Sequence, residues 1–144
     1  MLEDLSIKIF SDGANLDDIN KLAKNEIISG ITTNPTLMRK AGVTDYYGFC
    51  KLASKYAGLK PISLEVFSDD IDEMYNQAHI LSEINPNVSV KIPITNSRGV
   101  STLELVRKLS NEKISINVTG ILSLNQIELA IDNMDSKSHS YLSI

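Results

Sequence analysis

The sequence predicts an α/β chain of the (β/α)8 TIM-barrel type, truncated to about six strand–helix units within a single domain over residues 1–144. Three observations lead there. Short runs rich in β-branched residues alternate with longer helical patterns, and no low-complexity linker separates them. That alternation is the signature of parallel βαβ units wound by right-handed crossovers. The strands carry one apolar row and one polar row, whereas a strand buried between two helix layers is apolar on both faces. Finally, Glu65, Lys91, Asn117 and Ser143 stand 26 residues apart, as do Ser63, Ser89 and Ser115. A repeat of that length fits one strand, one helix and two short loops, so the four polar residues are expected at equivalent heights on successive strands.

The elements follow in order. "IKIFS" (7–11) reads as a strand ended by Asp12, and Asn15 caps a helix near 15–25. "ISGITT" (28–33) is a second strand ended by Asn34, with Pro35 at a first helical position. A helix near 44–58 buries Tyr46, Phe49, Cys50, Ala53 and Tyr56, an i, i+3, i+4 stripe. In "PISLEV" (61–66), Ile62, Leu64 and Val66 oppose Ser63 and Glu65. Asp69, Asp70, Asp72 and Glu73 then suit the positive end of a helix near 69–83. "VSVKI" (88–92) places Val88, Val90 and Ile92 opposite Ser89 and Lys91, before a helix near 98–111. "ISINV" (114–118), continued by Thr119, sets Ile114, Ile116 and Val118 against Ser115, Asn117 and Thr119. A helix near 123–134 and a strand "SYLSI" (140–144) complete the chain. Branched residues facing outward under helices, with a polar row inward, give a barrel whose chemistry gathers at the carboxyl ends of the strands.

Composition narrows the function. A formal charge of −4 argues against a general binder of nucleic acid or anionic membrane. No apolar stretch approaches the roughly 20 residues that span a bilayer. The opening "MLEDLSIKIF" is acidic where a secretory signal is basic and then apolar, so a cytoplasmic protein is expected. The single cysteine, Cys50, excludes an intramolecular disulfide and a multi-cysteine metal site. His79 and His139 stand alone, without companions at metal-ligand spacing.

Lys91 is the residue that asks for chemistry. Burial among apolar walls disfavours the charged form of an amine. The neutral amine is a nucleophile suited to attack on a carbonyl, forming a Schiff base. Glu65, one strand back, is placed to shuttle protons during that step. The plainer reading is a buried Glu65–Lys91 ion pair. The inward ring of Asp12, Asn34, Glu65, Asn117 and Thr119 favours catalysis.

"IFSDGANL", "GITTNPTLMRKAG", "PISLEVF", "VSVKIPIT" and "ISINVTGILSLNQ" resemble, in order and spacing, the motifs of the transaldolase family, class I aldolases that include the fructose-6-phosphate aldolases. The resemblance covers essentially the whole chain. It implies a barrel whose fourth-strand lysine, here Lys91, forms the Schiff base with a ketose phosphate such as fructose 6-phosphate or sedoheptulose 7-phosphate. It further implies that Glu65, with a water held by Thr119, assists dehydration and that Asp12 takes the C4 hydroxyl proton. Thr33, Asn34, Asn117 and Ser143 would bind the dihydroxyacetone unit. No metal or organic cofactor is needed, and the partners are sugar phosphates in carbohydrate metabolism of the pentose phosphate type. A glutamate at position 65 resembles the true transaldolases, whereas the aldolases carry glutamine there.

The chain also departs from the family pattern. It stops within the sixth strand, short of the segments that hold the substrate phosphate, and six strands do not close an eight-stranded barrel. Exposed edge strands predict self-association into a homo-oligomer. Arg98 reads as a solvated loop residue, and Gly13 and Gly120 replace a threonine and a larger apolar residue. The alternatives are a fructose-6-phosphate aldolase-like enzyme or a truncated, non-catalytic remnant.

Overall fold

The computed structural model describes residues 7–144, so most of the acidic opening lies outside the described residues. Among the described residues, six strands and six helices alternate except where α2 and α3 follow one another: β1 (Ile9–Asp12), α1 (Leu16–Lys24), β2 (Ile28–Thr32), α2 (Pro35–Lys40), α3 (Tyr46–Ala57), β3 (Ile62–Glu65), α4 (Ile71–Ser82), β4 (Val88–Pro93), α5 (Leu103–Asn111), β5 (Ile116–Thr119), α6 (Leu124–Asp132) and β6 (Tyr141–Leu142). The fold class is the (β/α) barrel type, and the described residues supply six of its strands in the order β1-β2-β3-β4-β5-β6. The described residues form two compact units: 7–64 with Ile84–Val88, and Glu65–Glu83 with Ser89–Ile144.

In the first unit, parallel β1 and β2 place Asp12 opposite Thr32, and β2 pairs with β3 through Ile31–Ile62 and Thr32–Ser63. The local signals act as expected. Asn15 accepts hydrogen bonds from the Asp17 and Asp18 amides at the start of α1. Gly58, at φ +65°, ends α3 with a positive-φ backbone that costs residues other than glycine most. Beyond it, the Asn87 side-chain amide donates to the carbonyls of Ser54, Gly58 and Lys60, tying the approach to β4 onto the end of α3. Ile19, Ile31, Cys50, Ala53 and Ile62 are fully enclosed. Burial pushes the Cys50 thiol up to about 12, which leaves it an inert core residue. The α2 helix is a separate element that the helical periodicity did not mark, although Pro35 sits in its first turn as predicted.

In the second unit, β4 and β5 pair through Val90–Ile116, Lys91–Asn117, Ile92–Val118 and Pro93–Thr119, and β6 joins β5 through Asn117–Tyr141 and Val118–Leu142. Val90, Ile92, Ile116 and Val118 have no exposed surface. Each contributes about 2 kcal/mol by burial. The polar row is buried as well, with Ser89, Lys91 and Asn117 all enclosed.

Three boundaries differ from expectation. The helix predicted from 98 begins at Leu103. Asn96 accepts from the amides of Arg98 and Val100, and Gly99 at φ +77° turns the chain before the helix can start. The strand predicted from 114 begins at Ile116, because α5 ends in a left-handed Lys113 at φ 66° and the Ile114 amide turns back to Leu109. Ser143 is not level with Asn117. Tyr141 takes that place, so the last strand–helix unit is two residues shorter than the one before it.

Candidate active site

Lys91 lies near the carboxyl end of β4 and is 8% exposed. Its neighbour on β3 is Glu65: the Val66 amide donates to the Lys91 carbonyl at 3.2 Å, which aligns the two strand ends. The Lys91 Nζ sits 4.0 Å from Glu65 Oε2, with side chains 10% and 19% exposed. Burial pushes the Glu65 carboxyl above its ordinary value, and the attraction of Lys91 pulls it down by less. The direction of the net shift is informative. A carboxyl beside an ammonium in water is held low; here desolvation outweighs that attraction, and the Glu65 carboxyl is displaced toward its protonated form.

Asn117 faces Lys91 across the β4–β5 ladder and is 3% exposed. Its Oδ1 accepts from Ser143 Oγ at 2.8 Å, so Ser143 reaches the predicted neighbour despite its shifted register. Thr119 stands opposite Pro93, half-buried. Glu65, Lys91, Asn117, Thr119 and Ser143 therefore all belong to the second unit. Together they offer an amine, a proton donor, an amide and two hydroxyls, the set that carbonyl addition and dehydration require.

In the first unit, Asp12 accepts from Thr32 Oγ1 at 2.7 Å and from Asn34 Nδ2 at 3.3 Å. The Asn34 Oδ1 also accepts from the Leu37 amide, so this side chain caps α2 while it holds Asp12. Thr33 is fully buried and donates to the Ser63 carbonyl at 2.9 Å. Thr32, which sequence reasoning did not single out, donates the shorter of the two hydrogen bonds that orient the Asp12 carboxylate. Its only signal was the β1–β2 register. A separate cleft of about 410 Å³, lined by Ala14, Asp17, Gly42, Phe49 and Tyr56 among others, includes none of the predicted site residues.

The remaining loop, helix-start and histidine side chains have local partners or are exposed. Arg98 is 70% exposed and lies 3.8 Å from Asp69. Asp69 is held below its ordinary value chiefly by hydrogen bonds from Ser97. Asp70 caps α4, with Asp72 and Glu73 in its first turn. His79 Nε2 lies 2.9 Å from Glu112, and His139 is exposed. Among the described residues, no group of three His, Cys, Asp or Glu side chains is placed to hold a metal ion. No helix among them is long and apolar enough to cross a membrane.

Residues 9–144 match the family described as Transaldolase/Fructose-6-phosphate aldolase. The chain belongs to that family. Curated relatives of the transaldolase family include three proteins each called "Probable transaldolase". The one from Dehalococcoides mccartyi is 38% identical over 83% of this chain and 54% of its own length. Those from Exiguobacterium sibiricum and Thermoanaerobacter sp. are 39% and 40% identical over 86% of this chain and 55% of theirs. The chain thus spans about half the length of the curated relatives it matches. Among solved structures, "PhdJ bound to substrate intermediate" aligns with a TM-score of 0.57 over 98% of this chain and 61% of that one, at 11% identity, a likeness of fold.

Proposed function

We propose that the chain performs transaldolase-type chemistry: transfer of a dihydroxyacetone unit from a ketose phosphate to an aldose phosphate through a Schiff base on Lys91. One observation carries the reading. The Lys91 amine lies 4.0 Å from a carboxyl that burial biases toward its protonated form.

The steps balance on residues of this chain. The neutral Lys91 amine adds to the C2 carbonyl of fructose 6-phosphate or sedoheptulose 7-phosphate, giving a carbinolamine. Glu65, with a water held by Thr119, supplies the proton with which the C2 hydroxyl leaves as water. The resulting iminium draws the electron pair of the C3–C4 bond as the C4 hydroxyl gives up its proton, to the carboxylate of Asp12 by the family pattern. An aldose phosphate departs, and the dihydroxyacetone carbons remain on Lys91 as an enamine. This enamine adds to the acceptor aldehyde, and hydrolysis returns the free amine. Asn117 and Ser143 are assigned to the hydroxyls of the three-carbon unit, and the family pattern gives Asn34 the same role. Thr33, whose hydroxyl is committed to the Ser63 carbonyl, is assigned to shape the end of β2.

Glu65 favours transfer over simple cleavage, by the family pattern of glutamate in transaldolases and glutamine in the aldolases. The test is product analysis with fructose 6-phosphate, with and without erythrose 4-phosphate. Transfer requires sedoheptulose 7-phosphate to form only with the acceptor. Free dihydroxyacetone released at the same rate with or without acceptor would move the chain to the fructose-6-phosphate aldolase class. We also propose that the protein works in the cytoplasm as a homo-oligomer, which sedimentation of the purified chain tests; a monomer would contradict the second part.

A further inference from the structure

Three buried side-chain polar atoms make no hydrogen bond among the described residues: His79 Nε2, Asn87 Oδ1 and Ser89 Oγ. His79 Nε2 has Glu112 at 2.9 Å, and the Asn87 amide already donates to three carbonyls. Ser89 has no such compensation. It is 1% exposed, at the second position of β4, and lies two residues before Lys91. Residues two apart on a strand share a face, so this hydroxyl lies on the face that carries Lys91. Across the ladder, Ser115 does not help: its Oγ donates to the His139 carbonyl at 2.6 Å.

A buried hydroxyl without a partner costs about 1–3 kcal/mol, and alanine or valine would incur no such cost. A group held at that expense beside a reactive amine fits a role taken up when the amine reacts. We propose that Ser89 is a positioning residue for Lys91, its hydroxyl holding one water that hydrogen-bonds the amine and then the carbinolamine nitrogen. The inference rests on the Schiff-base reading above. A hydroxyl both donates and accepts, so it serves the neutral amine and the iminium N–H alike. Ser89 exchanges no net proton in this scheme; the proton that leaves with water still comes from Glu65.

Threonine and valine have nearly the same shape and differ by the hydroxyl, so Ser89→Thr and Ser89→Val separate chemistry from packing. The readout is the rate of borohydride-trapped adduct formation with fructose 6-phosphate across pH 5–9. The threonine variant is expected within about threefold of wild type with an unchanged pH profile. The valine variant is expected at least tenfold slower, with the acid limb of its profile displaced. Equal rates and profiles for the two variants would overturn the inference, even if both were slower than wild type. Should the larger side chains prevent folding, Ser89→Ala removes the oxygen alone and is expected to slow trapping similarly; wild-type behaviour there overturns the inference too. If wild-type Lys91 forms no adduct, the Schiff-base reading falls, and this inference with it.

Discussion

The Lys91→Met substitution tests the balance of forces at the site. At 4.0 Å, a unit pair in a medium of effective dielectric 20 attracts by about 4 kcal/mol. Desolvation costs several kcal/mol for each ion and outweighs that attraction at Glu65, as the raised carboxyl shows. Methionine preserves the volume and removes the ammonium. Glu65 then loses the influence that lowered it and rises further above its ordinary value of 4.5. The folded protein therefore binds more protons than the unfolded chain from pH 4.5 up to the raised folded value. Across that window its stability falls as pH rises. Holding a carboxyl of ordinary value protonated at pH 7 costs about 3 kcal/mol, which bounds the effect. Urea unfolding at pH 4.5, 6 and 7 is the assay. Relative to wild type, the variant is expected to lose about 1–3 kcal/mol between the lowest and highest pH, while Lys91→Met combined with Glu65→Gln shows no such trend. A difference between Lys91→Met and wild type that does not vary with pH would refute the desolvated, coupled pair.

Other expectations follow from the same geometry. Glu65→Gln is expected to slow adduct formation by about 10² or more, the usual worth of a general acid, with an unchanged circular dichroism spectrum; a rate equal to wild type would remove Glu65 from the proton pathway. Asp12→Asn is expected to leave trapping on Lys91 intact while transfer falls by about 10², since the exposed carboxylate is assigned only to the C4 proton; parallel loss of both activities would contradict that division. Asn15→Ala removes the acceptor of two amides at the start of α1 and is expected to cost about 1 kcal/mol, read as a lower urea midpoint.

Much of this was legible in the sequence because equal strand–helix units impose a register. The 26-residue step from Lys91 to Asn117 is realised as a ladder pair. The same arithmetic failed at Ser143, where two fewer residues lie between paired positions of β5 and β6. Loop length set that outcome, and no strand pattern encodes it. The start of α5 was hidden for a similar reason: the Asn96 turn with Gly99 overrides a helical periodicity that continues through it. Thr32 was passed over because adjacent threonines are indistinguishable until the β1–β2 pairing places one beside Asp12. Desolvation at Glu65 was likewise invisible, since its direction depends on how deeply the carboxyl is enclosed rather than on residue type.

The most direct measurement is reduction with borohydride in the presence of fructose 6-phosphate, followed by mass mapping of the digested chain. The account predicts a reduced adduct confined to the peptide containing Lys91 and absent from Lys91→Met. Adducts spread over exposed lysines such as Lys24, Lys51 and Lys137, with Lys91 unmodified, would contradict it.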